Sequence, residues 1–192
     1  MQVVHCGSLP HVYSILESRV QNMLQEQLFA LGKPCFSTVQ ADVSAFQDLT
    51  MQLAHTHKGS IIRIIRGDKS KTLQGFFDEC AASLQFPYYF GENWSAFDEC
   101  ITDLDWLEGD AYLLMINNAS SLLSEAAPED LCTLLQILAK ANEEWLVPNT
   151  YIPRNRNPTP FHVVFQCTAE EMLPFVQHLA SFDVPLAHIT EN

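Results

Sequence analysis

Gln85-Phe86-Pro87-Tyr88-Tyr89-Phe90-Gly91-Glu92-Asn93-Trp94-Ser95-Ala96-Phe97-Asp98-Glu99-Cys100-Ile101-Thr102 is the stretch on which the reading of this 192-residue chain turns. Pro87 and Gly91 interrupt regular structure, and Asn93 is a residue type whose side chain accepts from the free N–H groups that open a helix. Advancing about 100° per residue from Trp94 to Leu104 gathers Trp94, Phe97, Cys100, Ile101 and Leu104 on one side, which must meet a core. Ser95, Glu99 and Thr102 gather opposite within an arc of roughly 60°, flanked by Asp98 and Asp103. The leading loop adds Tyr88, Tyr89 and Phe90. The stretch therefore predicts a half-buried helix with an acidic outer face and an aromatic loop before it.

Upstream, Leu73, Phe76, Phe77, Cys80 and Leu84 repeat at helical spacing until Pro87 closes the pattern. Ser60 to Arg66, rich in isoleucine, reads as a strand. Ser44 and Gln47 have capping-box spacing before Phe46, Leu49 and Leu53, and Gly59 ends that helix. A β-prone stretch at Phe36 to Val39 precedes it. Strand, helix and strand predict a parallel pair joined by a right-handed crossover. Ser8 and Pro10 open an N-terminal helix with a stripe through Val12, Leu16, Val20 and Leu24, which Gly32 stops.

Downstream, Ala111 to Ile116 is a buried strand, and Pro128-Glu129-Asp130 opens a helix carried by Leu131, Leu134, Leu135, Leu138 and Ala141. A proline-rich loop, Pro148 to Pro160, includes Arg154 and Arg156; it could contact a partner and is left without an assigned role. Phe161 to Cys167 is a further strand. Thr168 with Glu171 begins a last helix, which Pro174 is expected to disturb. The expected organisation is a helical extension over residues 1–59 that packs on the sheet, a central α/β domain over 60–167, and a helix and tail over 168–192.

Composition narrows the function. Hydrophobic residues make up 47% and charged residues 17%, a globular and not a disordered balance. The longest apolar run, Ala111 to Ile116, falls far short of a membrane span, so no membrane partner is expected. Met1-Gln2-Val3-Val4-His5 offers no basic start followed by an apolar stretch, so no export signal is expected and the expected location is the cytoplasm. Cys6, Cys35, Cys80, Cys100, Cys132 and Cys167 have no metal-finger spacing and read as reduced thiols. Net charge is −13, and no Lys or Arg lies between Lys71 and Lys140, a stretch that carries twelve Asp or Glu. Such a stretch disfavours direct nucleic-acid binding, which rests on Lys and Arg. On these residues alone two readings stand: a basic partner's docking face, or a solvated helix beside tyrosines that cover the core.

The quoted run resembles the central motif of the barstar family, Pro-x-Tyr-Tyr-Gly-Glu-Asn-x-Asp-Ala-Leu-Trp-Asp-Cys-Leu-Thr. The resemblance extends over roughly residues 60–167, through the Tyr112 to Ile116 strand, the helix with Leu135-Gln136 and Ala141, and the Phe161 to Cys167 strand. It implies a parallel three-stranded sheet packed with helices, here extended by an N-terminal helix and a βαβ unit. It also implies an immunity-type inhibitor whose acidic helix plugs the active site of a basic, secreted or toxin-type ribonuclease. Residue by residue, Glu99 falls where the family's principal plug is an aspartate. Tyr89, Asn93, Thr102 and Glu144 fall at family contact positions and match in type. Ser95 stands where the family has a contacting aspartate, Asp98 where it has a tryptophan, Leu104 for another tryptophan, and Lys140 for a contacting glutamate. Asp103 joins the expected partner-binding set as a flank of the acidic arc.

Two other readings compete. The scaffold could serve as a regulatory or interaction module for a partner that is not a nuclease. Asp98, Glu99 and Asp103 could gather a divalent cation for catalysis. Neither His nor Lys accompanies them in the segment, no glycine-rich phosphate loop is present, and Cys100 lies on the core side. The expectation is therefore a non-enzymatic protein with no metal and no cofactor.

Overall fold

Phe161–Cys167 is buried along its whole length, the mark of a strand covered on both faces and both edges. In the computed structural model, which describes residues 26–32, 34–150, 156–182 and 185–189, this strand lies mid-sheet. The elements in chain order are β1 (Phe36–Gln40), α1 (Val43–Thr56), β2 (Ile61–Arg66), α2 (Leu73–Leu84), α3 (Trp94–Asp103), β3 (Tyr112–Asn117), α4 (Pro128–Trp145), β4 (Phe161–Cys167), α5 (Ala169–Ala180) and β5 (Leu186–Ile189). A single 3-10 turn at Ala119–Ser121 follows β3. All strand pairings in the five-stranded sheet are parallel, in the order β2-β3-β4-β1-β5.

The sheet therefore contains the three expected strands β2, β3 and β4, extended on the β4 side by two more. One expectation needs correction: β1 and β2 are parallel but not paired. β1 hydrogen-bonds β4 and β5, with Phe36 opposite Val163 and Leu186, while β2 forms the far edge against β3. β1 ends up inside the sheet because the apolar Cys35, Phe36 and Val39 are buried against elements late in the chain, including Phe165 at 6.0 Å from Phe36. The strand at Leu186–Ile189, in the expected tail, gives β1 its second neighbour.

Period-two alternation splits the core between two faces. Tyr112, Leu114, Ile116, Phe161, Val163 and Phe165 join Phe76, Phe97, Leu134 and Phe175 in a cluster shared with α2, α3, α4 and α5. Leu113, Met115 and Val164 face the other way and join Phe46, Leu53 and Leu28 beneath α1. His162, buried on the same strand, holds the N-terminal segment: its Nε2 lies 2.9 Å from the Ala30 carbonyl and must carry the proton. Burial lowers the pKa of this imidazole.

Local boundaries follow side-chain chemistry. Asp42, not Ser44, caps α1, accepting from the Ala45 N–H at 2.8 Å. Thr72 caps α2 in the same way. Asp130 receives the Ala127 N–H at the start of α4. Thr168 and Glu171 close a capping box on α5. Pro174 does not break α5, and the carbonyl it deprives of a donor belongs to Glu170, an exposed residue. Glu26 to Leu28 are helical and Gly32 turns the chain at φ +135°, where the N-terminal helix was expected to stop. The rest of that expected helix lies outside the described residues.

Candidate functional site

Phe86 and Phe90 anchor the loop before α3. Their rings stand 4.8 Å apart edge to face, and Phe90 in turn meets Phe77 at 5.9 Å. With these two rings turned inward, the neighbouring tyrosines are turned out: Tyr88 is fully exposed and Tyr89 is 64% exposed, the pair meeting at 5.6 Å. Asn93 has two internal duties. Its Oδ1 accepts from the Ala96 N–H at 3.0 Å, and its Nδ2 donates to the Gly91 carbonyl at 2.9 Å. The amide expected to touch a partner is thus already committed to shaping the loop and capping α3.

α3 lies with Phe97, Cys100 and Ile101 buried, as its periodicity predicts. Its start is tied to α4 by Trp94 Nε1, which donates to Asp130 Oδ1 at 3.0 Å. Ser95 and Glu99 are exposed, and Asp98, Thr102 and Asp103 are half-buried beside them. Thr102 turns its hydroxyl back to the Asp98 carbonyl at 2.8 Å. Glu99 and Asp103 lie near the exposed Tyr89, while Asp98 turns toward α4. The electrostatics agree: partial burial, then Asp103 and Glu99 among its neighbours, raise the Tyr89 phenol. Burial first, and the Asp105 carboxylate next, hold the Asp103 carboxyl above its ordinary value, with Arg156 opposing. Burial, reinforced by Glu99 and Asp103, pushes the Cys100 thiol up to about 11.

Two basic residues enter this flank from α4 and the loop beyond it. Lys140 Nζ reaches Asp98 Oδ2 at 2.6 Å and Glu144 Oε1 at 3.6 Å. The acidic face, bare of cations in its own segment, is thus neutralised in part by a residue 42 positions away. Arg156, in the loop left without an assigned role, turns inward. Its guanidinium sits 3.8 Å above the Trp145 ring and donates to the Thr102 carbonyl at 2.8 Å and the Glu144 carbonyl at 3.2 Å. It thereby joins the C-terminal turns of α3 and α4, where the helix dipoles favour a cation. Arg154 lies outside the described residues. A cavity of about 130 Å³ opens beside this junction, lined by Asp103, Tyr112, Trp145 and Arg156.

Sequence reasoning had no signal for the inward turn of Arg156. It marked Lys140 as a basic residue at a family contact position, but not its pairing with Asp98. Among the described residues, no three of His, Cys, Asp and Glu converge tightly enough to hold a metal ion. Nor, among them, is any helix long and apolar enough to cross a membrane.

Fold and flank together define an open parallel α/β protein with an acidic, aromatic-edged surface on one helix. Within that class the chain belongs to the barstar family: the family model described as Barstar (barnase inhibitor) matches residues 61–166. No curated protein matches the chain. Solved structures similar in fold include the ORC2 protein of Aeropyrum pernix in its ADP form, at TM-score 0.58 and 12% identity over 92% of this chain and 47% of that one. Cdc6p of Pyrobaculum aerophilum is similar at TM-score 0.54 and 14% identity, over 99% of this chain and 48% of that one. A chain of Drosophila ORC bound to poly(dA/dT) DNA and Cdc6 is similar at TM-score 0.54 and 13% identity, over 95% and 30%. This chain spans about half the length of the first two, and at such identities the likeness is one of fold alone.

Proposed function

We propose that this protein is an inhibitor that binds a basic ribonuclease and occludes its active site with α3 and the loop before it. The observation that carries this reading is the outward presentation of Glu99 between exposed tyrosines and half-buried carboxylates, on a helix whose other side is locked into the core. A carboxylate on a rigid element can enter a site built for phosphate at little cost in ordering, and aromatic neighbours shield the contact from water. Family membership supplies the class of partner. Glu99, Asp98, Asp103, Ser95, Thr102, Tyr89 and Glu144 form the proposed contact surface, with Asn93 shaping it from below.

Binding without catalysis is the companion proposal. Cys100 is buried and its thiol is held protonated, so it offers no nucleophile. Open α/β sheets take ligands where neighbouring strands send their helices to opposite faces, here at the carboxyl ends of β1 and β4. That crevice is filled by the buried Gln166, whose Nε2 donates to the Ala41 carbonyl at 2.6 Å and whose Oε1 accepts from the Asn118 N–H at 2.8 Å. The N-terminus of α1, where a phosphate would dock, is already held by the Asp42 carboxylate. Nucleotide chemistry is therefore not carried over from the ORC2 and Cdc6 likeness.

The test is capture of catalytically inactive basic ribonucleases by the wild-type protein and two variants. Glu99→Ala should weaken binding roughly thirtyfold, the size of a hot-spot loss of about 2 kcal/mol. Asp48→Ala, on the exposed side of α1, should leave it unchanged. Equal effects at the two positions would overturn the assignment of this face.

A further inference from the structure

Lys140 is the feature of this face that the inhibitor reading does not require. It projects from α4 across the seam to α3, half exposed, with Asp98 Oδ2 at 2.6 Å and Glu144 Oε1 at 3.6 Å. It is the first Lys or Arg after Lys71 in the sequence, so the helix face it reaches brings no cation of its own. Among the described residues the opposite oxygen of Asp98 is buried and accepts no hydrogen bond, so the Lys140 ammonium is the donor they offer this carboxylate. Lys140 thus occupies the position that a partner's lysine or arginine would take on Asp98. Glu99, one residue on, remains exposed on α3.

We infer that Lys140 is a specificity-determining residue, an internal counter-ion that closes the seam between α3 and α4 to a partner's cations and directs them to Glu99. The inference rests on the reading of this face as the partner-binding surface. A partner whose basic groups span both helices meets a like charge at Lys140 and is rejected, because like charges brought together across an interface are costly. A partner that concentrates its cations over Glu99, and leaves the seam alone or offers it an acceptor, is admitted. The ion pair is exposed enough to be displaced, so the discrimination is graded.

A hexa-arginine peptide tests the charge gate without needing the cognate partner. Titrated at low ionic strength, Lys140→Ala and Lys140→Met should bind the peptide about fivefold tighter than wild type, the scale of removing one like charge from an interface rim. Lys69→Ala, which removes the same charge from the turn after β2, should change binding little. In an Asp98→Asn background the gain from Lys140→Ala should shrink, because the carboxylate it uncovers is gone. Equal affinity of wild type and the Lys140 variants, or a gain matched by Lys69→Ala, would overturn the inference. A parallel arm with inactive basic ribonucleases separates the two readings. Failure of every ribonuclease to bind, with the peptide gain intact, would overturn the inhibitor proposal and leave the gate standing. Capture of ribonucleases by wild type, with the peptide bound equally by wild type and the Lys140 variants, would do the reverse.

Discussion

Glu79 shows how one carboxylate serves both a side chain and the backbone. It is 7% exposed and accepts from three donors of Arg66: the backbone N–H at 3.1 Å, Nε at 2.8 Å and Nη2 at 2.7 Å. The Arg66 side-chain hydrogen bonds are the main cause that lowers its pKa below the ordinary 4.5, against the opposing effect of burial. A carboxyl with a depressed folded-state pKa stabilises the fold fully above its unfolded value and loses that contribution as pH falls through the folded one. Wild type should therefore hold its urea midpoint from neutral pH down to about pH 5 and lose stability below it. Glu79→Gln, which keeps the shape but not the charge, should cost about 1–2 kcal/mol at neutral pH. Its acid-induced loss should be smaller than that of wild type. Parallel urea titrations of the two proteins between pH 3 and pH 7 check both statements; identical pH profiles would remove Glu79 from the acid response.

At the scale of elements, the same glutamate protects a sheet edge. β2 lies at the end of the sheet, and its outward backbone groups are met by side chains instead of a strand. The Ile62 carbonyl accepts from Arg63 Nη1, the Ile64 carbonyl accepts from Ser83 Oγ, and the Arg66 N–H donates to Glu79. Strand addition at this edge is thereby disfavoured. Arg156 does comparable work between helices, and its replacement tests the α3–α4 junction. Arg156→Ala should cost about 1–3 kcal/mol, leaving the part-buried carbonyl groups of Thr102 and Glu144 without this donor and the Trp145 ring uncovered. Arg156→Lys should not recover the loss, since one ammonium lacks the planar fork that reaches two helix ends above a ring. Chemical denaturation with amide exchange of the last turn of α3 reads both effects. The elements themselves were legible in the sequence because each is patterned locally. The Phe161 to Cys167 strand, the buried side of α3 and the Asn93 cap all follow from a few adjacent residues. The Asp42 cap was missed because Ser44 offers an equally good local motif, and only the registry of Phe46 and Leu53 against the sheet decides between them. The Asp98–Lys140 pair and the inward Arg156 were not legible, because each depends on how α3 packs on α4 and on where the loop after α4 returns.

The whole molecule depends on a segment that local reading would place outside it. β1 was readable as a strand, but its place was not, since strand order is set by long-range burial and not by sequence adjacency. Between β4 and β5, it supplies the hydrogen-bonding partner for Val163 to Cys167 and brings the fully buried Phe36 into the main core. α1, which follows it, covers the second face over Leu113, Met115 and Val164. Removing residues 1–59 would leave β4 with a bare edge and that face exposed, while the family-matched residues 61–166 stayed intact in sequence. An unpaired apolar strand edge beside an uncovered apolar face favours intermolecular pairing over a folded monomer. The fragment 60–192 should therefore be insoluble, or collapsed without dispersed amide resonances and without a cooperative thermal transition. Supplying residues 26–59 as a separate chain should restore part of the cooperative signal if β1 and α1 are integral to the sheet. A soluble, monomeric and cooperatively unfolding 60–192 fragment would instead mark the N-terminal region as an independent unit. In that outcome Glu99→Ala in the fragment would test whether α3 carries partner binding by itself.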